Sequence, residues 1–149
     1  LIQEEINSFE PLEHRNEYVG KLLGATVYND SKSTSPAATL RALESISSPI
    51  ILIAGGKDKG VSFELLKQLV EEKVRIMILI GESEQRLKAE LGEKVPSEFA
   101  DSLREALQIT KNNIQAEDTI LFSPACSSFD MFNSYEDRGM KFKEIVKNI

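Results

Sequence analysis

Five consecutive apolar residues, Ile50-Ile51-Leu52-Ile53-Ala54, stop abruptly at Gly55-Gly56. A run so short and so uninterrupted is the pattern of a strand covered on both faces. Val74 to Ile80 repeats it, and Thr119-Ile120-Leu121-Phe122 gives a shorter version. Between these runs the apolar residues switch to helical spacing. Leu40, Leu43 and Ile46 mark a helix over Pro36–Ile46, and Phe63, Leu66, Leu69 and Val70 mark another. Doubly buried strands separated by helices call for an α/β fold: a mostly parallel sheet, helices on both faces, right-handed crossovers.

The remaining segments fit that frame. Residues 17–29 read as a hairpin, Tyr18 to Leu23 turning at Gly24 into the strand that ends at Asp30. Glu84 to Leu91 reads as a short helix closed by Gly92, and Phe99, Leu103, Leu107 and Ile109 predict a helix over 98–112. A final helix is predicted from Phe129 to the end, with Phe132, Tyr135, Phe142, Ile145 and Ile149 inward and Gly139 as a weak point. At 149 residues the chain has room for one core.

Several function classes drop out on composition. A net charge of −6 repels nucleic acid in general, although a local basic patch can still hold a compact anion. The longest apolar run, Ile76–Ile80, is too short to span a bilayer, and the first residues have neither the basic nor the apolar region of a signal peptide. One cysteine, Cys126, excludes an internal disulfide and favours the cytoplasm. No His/Cys/carboxylate cluster has metal-ligand spacing, so no metal site is expected in this domain. Starting on Leu rather than Met, the chain reads as either processed or cut out of something longer, and the second reading is preferred.

In a parallel sheet all strand-to-helix loops emerge at one edge, so segments distant in sequence can share a crevice. Three such loops carry unusual residues. Asn29-Asp30-Ser31-Lys32-Ser33-Thr34-Ser35-Pro36 sets an acid, an amine and hydroxyls before a helix capped by Ser35 with Pro36 in its first turn. Taken alone it reads as a capped turn. Gly55-Gly56-Lys57-Asp58-Lys59-Gly60 puts two lysines among glycines that let backbone approach a ligand, yet it is neither a Walker A loop nor a dinucleotide fingerprint. Ser123-Pro124-Ala125-Cys126-Ser127-Ser128-Phe129-Asp130 has capping-box spacing between Ser127 and Asp130, which predicts a helix N-terminus offering the Ser128 and Phe129 N–H groups to an anion. Cys126 reads as packing, since the sole histidine, His14, is far upstream and itself reads as structural or solvated. Arg15 beside it is a fixed cation able to reach a phosphate.

Taken together, His14-Arg15, Asn29 to Thr34, Ala54 to Gly60 and Ser123 to Asp130, continued by Phe132, Tyr135, Arg138 and Gly139, resemble the C-terminal domain of the Mur ligases. The resemblance spans nearly the whole chain. It points within the family to the branch that adds D-glutamate. What it implies is a Rossmann-like domain with an antiparallel N-terminal edge hairpin, residues 1–12 being the linker from a missing central ATPase domain. The implied enzyme is monomeric and cytoplasmic and works in bacterial peptidoglycan precursor synthesis. Its carboxylate substrate, UDP-N-acetylmuramoyl-L-alanine, is activated by ATP as an acyl phosphate and then attacked by the amine of D-glutamate. Magnesium belongs to the central domain. Arg15 and Asp30 are implied to contact ATP, Asp30 at the ribose, and Lys32 to sit beside the transferred phosphate and the amino-acid carboxylate as the catalytic lysine. Thr34, Lys59, Ser128, the Phe129 backbone and Tyr135 are implied to hold D-glutamate. Another Mur or folylpolyglutamate-type ligase domain, or a non-catalytic nucleotide- or amino-acid-binding module, are the other readings.

Overall fold

The computed structural model describes residues 12–149, and the predicted linker therefore lies outside the described residues except for Leu12. Among the described residues there are six strands and five α-helices. The chain opens with β1 (Glu17–Leu22) and β2 (Ala25–Asn29), then α1 (Pro36–Ser45) and β3 (Ile50–Gly55). A single 3-10 turn (Glu64–Leu66) runs into α2 (Lys67–Lys73), followed by β4 (Val74–Ile80), α3 (Glu84–Leu91) and β5 (Ser97–Ala100). The chain ends with α4 (Leu103–Asn113), β6 (Thr119–Phe122) and α5 (Tyr135–Asn148).

The strands form one sheet in the order β1-β2-β6-β3-β4-β5. β1 pairs antiparallel with β2, and every other pair is parallel. The expected edge hairpin is therefore present, turned by Leu23 and Gly24, both at positive φ (49° and 87°). That is the backbone a two-residue hairpin loop needs to match strand twist.

The apolar run at β3 divides its side chains between two cores. Ile50, Leu52 and Ala54 pack with Leu43 of α1, Val70 of α2 and Leu87 of α3. Ile51 and Ile53 pack on the other face with Leu103 and Leu107 of α4 and Phe142 of α5. Period-2 alternation of two apolar faces explains why the run has no polar gaps. Because β6 returns between β2 and β3, its following helix lies on the face opposite α1 and α2. The loops after β2, β3 and β6 thus part around a switch point, where an open α/β sheet makes its crevice.

Two expectations need correction. The helix predicted over 98–112 begins only at Leu103, because Ser97–Ala100 is the edge strand β5, paired to Met77–Ile80. Ser102 caps α4 by accepting from the Glu105 N–H at 3.0 Å. The helix predicted from Phe129 begins at Tyr135, with Ser134 as its cap.

Gly139 is no break, since α5 continues through it. Its lack of a side chain makes room for a neighbour: an added Cβ would lie 2.1 Å from His14 Nδ1. Alanine favours a helix over glycine by about 1 kcal/mol, yet Gly139→Ala is expected to destabilise the fold by about 1–3 kcal/mol through overpacking. A urea midpoint that did not fall would mean that His14 moves aside freely.

Candidate functional site

The first loop is tied to the sheet before it reaches solvent. The Asp30 N–H donates to Phe122 O at 2.7 Å, and the turn closes with Ser33 N–H on Asp30 O at 2.9 Å. The Asp30 side chain is buried. Its Oδ2 accepts from Ser123 Oγ at 2.7 Å and from Ser33 Oγ, and its Oδ1 accepts from the Asn16 N–H at 3.1 Å. Burial pushes its pKa up, against these hydrogen bonds and the nearby Arg15 charge. Asp30 is thus a structural knot as well as a candidate ligand contact. A carboxylate has roughly four acceptor positions, so one remains for a ligand hydroxyl.

Lys32 is anchored through its backbone, whose N–H donates to His14 O at 2.9 Å. Its Nζ stands 5.5 Å from the centroid of the Tyr135 ring. Arg15, Asn16, Asp30, Lys32, Ser33 and Arg41 line a cavity of about 250 Å³. Arg41 carries no role in the sequence reading; it enters the cavity from α1, one helical turn after Ala38, which also lines it.

His14 is structural, as expected, and buried rather than solvated. The Asn29 amide fixes its environment, with Nδ2 donating to Glu17 Oε1 at 3.0 Å and lying 2.9 Å from His14 Nδ1. Asn29 Oδ1 accepts from the Ser31 N–H at 3.1 Å. Because both amide ends are committed, Nδ2 donates to the ring, and His14 Nδ1 is the acceptor.

In the second loop the glycines serve packing rather than ligand approach. Gly55 and Gly56 have φ of 123° and 155°, and added Cβ atoms would meet Ile80 O at 1.9 Å and Ser127 O at 2.5 Å. The Lys57 N–H donates to Ser127 O at 3.0 Å, tying this loop to the third. Asp58 is held by Arg86, which also reaches Val61 O and Glu90. Lys59 is exposed and has no ion-pair partner among the described residues. Thr34, Ser35, Lys57, Lys59 and Ser127 line a second cavity of about 230 Å³, closed on its apolar side by Pro36, Val61 and Phe63.

The third loop departs most from expectation. Ser127 caps no helix. Met131 and Phe132 N–H groups donate to Ser128 O, which makes one isolated helical turn. The working cap is Ser134: its Oγ accepts from the Asp137 N–H at 3.0 Å, and Asp137 Oδ2 reaches back past the cap to accept from the Asn133 N–H at 3.1 Å. The helix-terminal anion site predicted at Ser128 and Phe129 is therefore not formed by α5. Ser128 is buried with its hydroxyl unpartnered among the described residues, and Phe129 is exposed. Neither of them, nor Tyr135, lines the two cavities. Cys126 is packed as expected, its Sγ 3.2 Å from Ser83 Oγ and its thiol pushed up by burial.

Two residues that hold these loops were not singled out from sequence for that role. Ser83, after β4, accepts at Oγ from the Gly56 N–H at 3.1 Å, and its own N–H donates to Gly56 O at 3.0 Å. Arg138 of α5, buried at 1% exposure, donates from Nε to Ser31 Oγ (2.9 Å), from Nη2 to Ser31 O (2.7 Å) and from Nη1 to Cys126 O (2.9 Å). Burial pulls its pKa down to about 10, so it remains charged at neutral pH. The first and third loops are thus clamped by one guanidinium. The segment 30–36 contributes to both cavities and lies between them.

Residues 14–126 match the sequence profile of the family described as "Mur ligase, glutamate ligase domain". Relatives named UDP-N-acetylmuramoylalanine–D-glutamate ligase include one from Bdellovibrio bacteriovorus, 45% identical over 98% of this chain and 32% of its own length. Another, from Aquifex aeolicus, is 44% identical over 97% of this chain and 35% of its own. The chain thus spans about a third of these relatives. In fold it resembles the MurF ligase from Thermotoga maritima solved with ADP, with a TM-score of 0.62 at 14% identity, over 95% of this chain and 33% of that one. No helix among the described residues is long and apolar enough to cross a membrane.

Proposed function

Since this chain belongs to the Mur ligase glutamate ligase domain family, we propose that it is the C-terminal domain of an ATP-dependent ligase joining D-glutamate to UDP-N-acetylmuramoyl-L-alanine. The observation that carries this reading is the pair of adjacent cavities at the carboxyl edge of the sheet. Arg15, Lys32 and Arg41 line one, and Lys57 and Lys59 line the other, on a chain with a net charge of −6. Cations concentrated at one edge of an acidic domain suit a nucleotide and a dicarboxylic amino acid.

The chemistry ATP supplies is activation of the substrate carboxylate as an acyl phosphate. Arg15 and Asp30 orient the nucleotide, Asp30 through its remaining acceptor position. Lys32, which lines the first cavity two residues before Thr34 enters the second, places a positive charge beside the phosphate and the carboxylate it joins. Thr34 and Lys59 hold the amino acid, so that its amine attacks the acyl carbon. The attacking nitrogen releases a proton to solvent, the tetrahedral oxyanion collapses, the C–O bond to phosphate breaks, and an amide and phosphate are released. A positive charge aimed at developing negative charge is the usual source of the largest rate contribution. Ser128, Phe129 and Tyr135 are assigned to the same amino-acid site in this reading, beside Ser127 and Lys32. Magnesium is assigned to residues outside this chain, in a central domain reached through residues 1–12.

This chain alone should release no phosphate with ATP, D-glutamate and UDP-N-acetylmuramoyl-L-alanine together, because proximity supplies much of the rate and the partner groups lie elsewhere. The full-length protein should release phosphate only when all three are present. Turnover by the 149-residue chain would refute the reading. Tight binding of D-glutamate to the chain alone, measured by calorimetry, would favour a binding module instead.

A further inference from the structure

We propose that Ser127 is an additional substrate-binding residue, whose hydroxyl donates to the side-chain carboxylate of the incoming amino acid beside Lys59. This inference rests on the proposed D-glutamate site. Ser127 is 4% exposed, and its Oγ has no hydrogen-bond partner among the described residues. An unpaired buried hydroxyl is costly, and in a native fold it asks for an explanation. The sequence supplies an obvious one, a helix cap, but that role is taken by Ser134. The hydroxyl is therefore not kept for the local backbone.

Its position supplies the alternative. Ser127 lines the 230 Å³ cavity together with Thr34, Lys57 and Lys59. Its backbone is fixed there by the Lys57 N–H on Ser127 O at 3.0 Å, and Gly56 permits that approach, since a Cβ would stand 2.5 Å from the same oxygen. The cavity has a cationic, hydroxyl-bearing end and an apolar wall of Pro36, Val61 and Phe63. That combination fits a carboxylate on a short aliphatic stem. A carboxylate is an acceptor only, so it complements both the ammonium of Lys59 and a hydroxyl left without an acceptor. The loop that bears Lys59 is exposed and held mainly by side-chain bonds through Asp58 and Arg86, which lets it adjust around a ligand.

Binding and stability should respond to substitution in opposite directions, which a merely structural serine would not do. In the full-length ligase, Ser127→Ala should raise KM for D-glutamate roughly tenfold or more, the loss expected for a hydrogen bond to a charged group. KM for ATP should not move. Ser127→Cys, which keeps the shape with a somewhat larger atom and offers only a weak donor, should do the same. The melting temperature of Ser127→Ala should stay level or rise, because an unpaired buried hydroxyl has been removed. An unchanged KM for D-glutamate in both variants overturns the inference. So does a raised KM accompanied by a melting temperature lower by several degrees, which would assign Ser127 to the fold. A wild-type protein that ligates a different amino acid and ignores D-glutamate brings down the proposed function, and this inference with it.

Discussion

Lys32→Ala in the full-length ligase should lower turnover by about 10²–10³-fold or more, the loss seen when one preorganised donor to a transition-state oxyanion is removed. The expectation follows from how Lys32 is held. Its backbone is pinned by His14 O, and its side chain is half-buried beside the Tyr135 ring, in the cavity it shares with Arg15 and Asp30. Among the described residues no carboxylate lies within ion-pair distance of its Nζ, so its charge is not spent inside the fold. Stability should therefore change little, and the defect should appear in kcat rather than in the unfolding curve. Lys32→Arg keeps the charge but replaces a compact ammonium with a planar fork, and should recover only part of the rate. Steady-state kinetics with near-normal kcat for Lys32→Ala would remove Lys32 from the mechanism.

The contrast between Lys32 and its supports shows which parts of the site are legible in sequence. Lys32 and Asp30 stand in a strand-loop-helix segment whose strand, cap and first-turn proline are all local signals, and Ser35 does cap α1 as read. The buried strands β3, β4 and β6 are equally legible, because burial on both faces leaves an unbroken apolar run. β5 is not. Ser97-Glu98-Phe99-Ala100 is a four-residue edge strand with one buried residue, and Phe99 falls in step with Leu103 and Leu107 of the next helix. The start of α5 was misread for another reason. The pattern Ser-x-x-Asp occurs at Ser127 and again at Ser134, and local chemistry does not separate the two. Tertiary structure does, since Ser127 is held in a bridge to Lys57 and Ala125 sits at φ 62°. The clamps are least legible of all, because Gly56 and Ser31, the groups that Ser83 and Arg138 hold, lie 27 and 107 residues away along the chain.

Arg138→Ala should therefore be the most damaging single change to the fold of this site. The guanidinium is enclosed, and it makes three hydrogen bonds to Ser31 and Cys126, with no carboxylate in hydrogen-bonding contact among the described residues. Its remaining face lies 6.0 Å from the centroid of Phe122, which in turn stacks on Phe142 at 4.6 Å. Truncation leaves the carbonyls of Ser31 and Cys126 without this donor and opens a cavity over an aromatic pair. Orphaned buried polar groups cost about 1–3 kcal/mol each, and the void adds to that. A loss of at least about 3 kcal/mol is expected, or roughly 6–12 °C in melting temperature for a chain of this size. Arg138→Lys should fall between the two, since an ammonium keeps the charge but cannot span the Ser31 and Cys126 carbonyls with a planar fork. In the full-length ligase both variants should weaken ATP and D-glutamate together, because the clamp joins the loop that bears Asp30 and Lys32 to the loop that bears Ser127 and Ser128. Urea unfolding of the chain, read beside the two KM values, tests both halves. A stable Arg138→Ala chain would show that the two loops hold their places without it, and the account of the crevice as one clamped unit would fail.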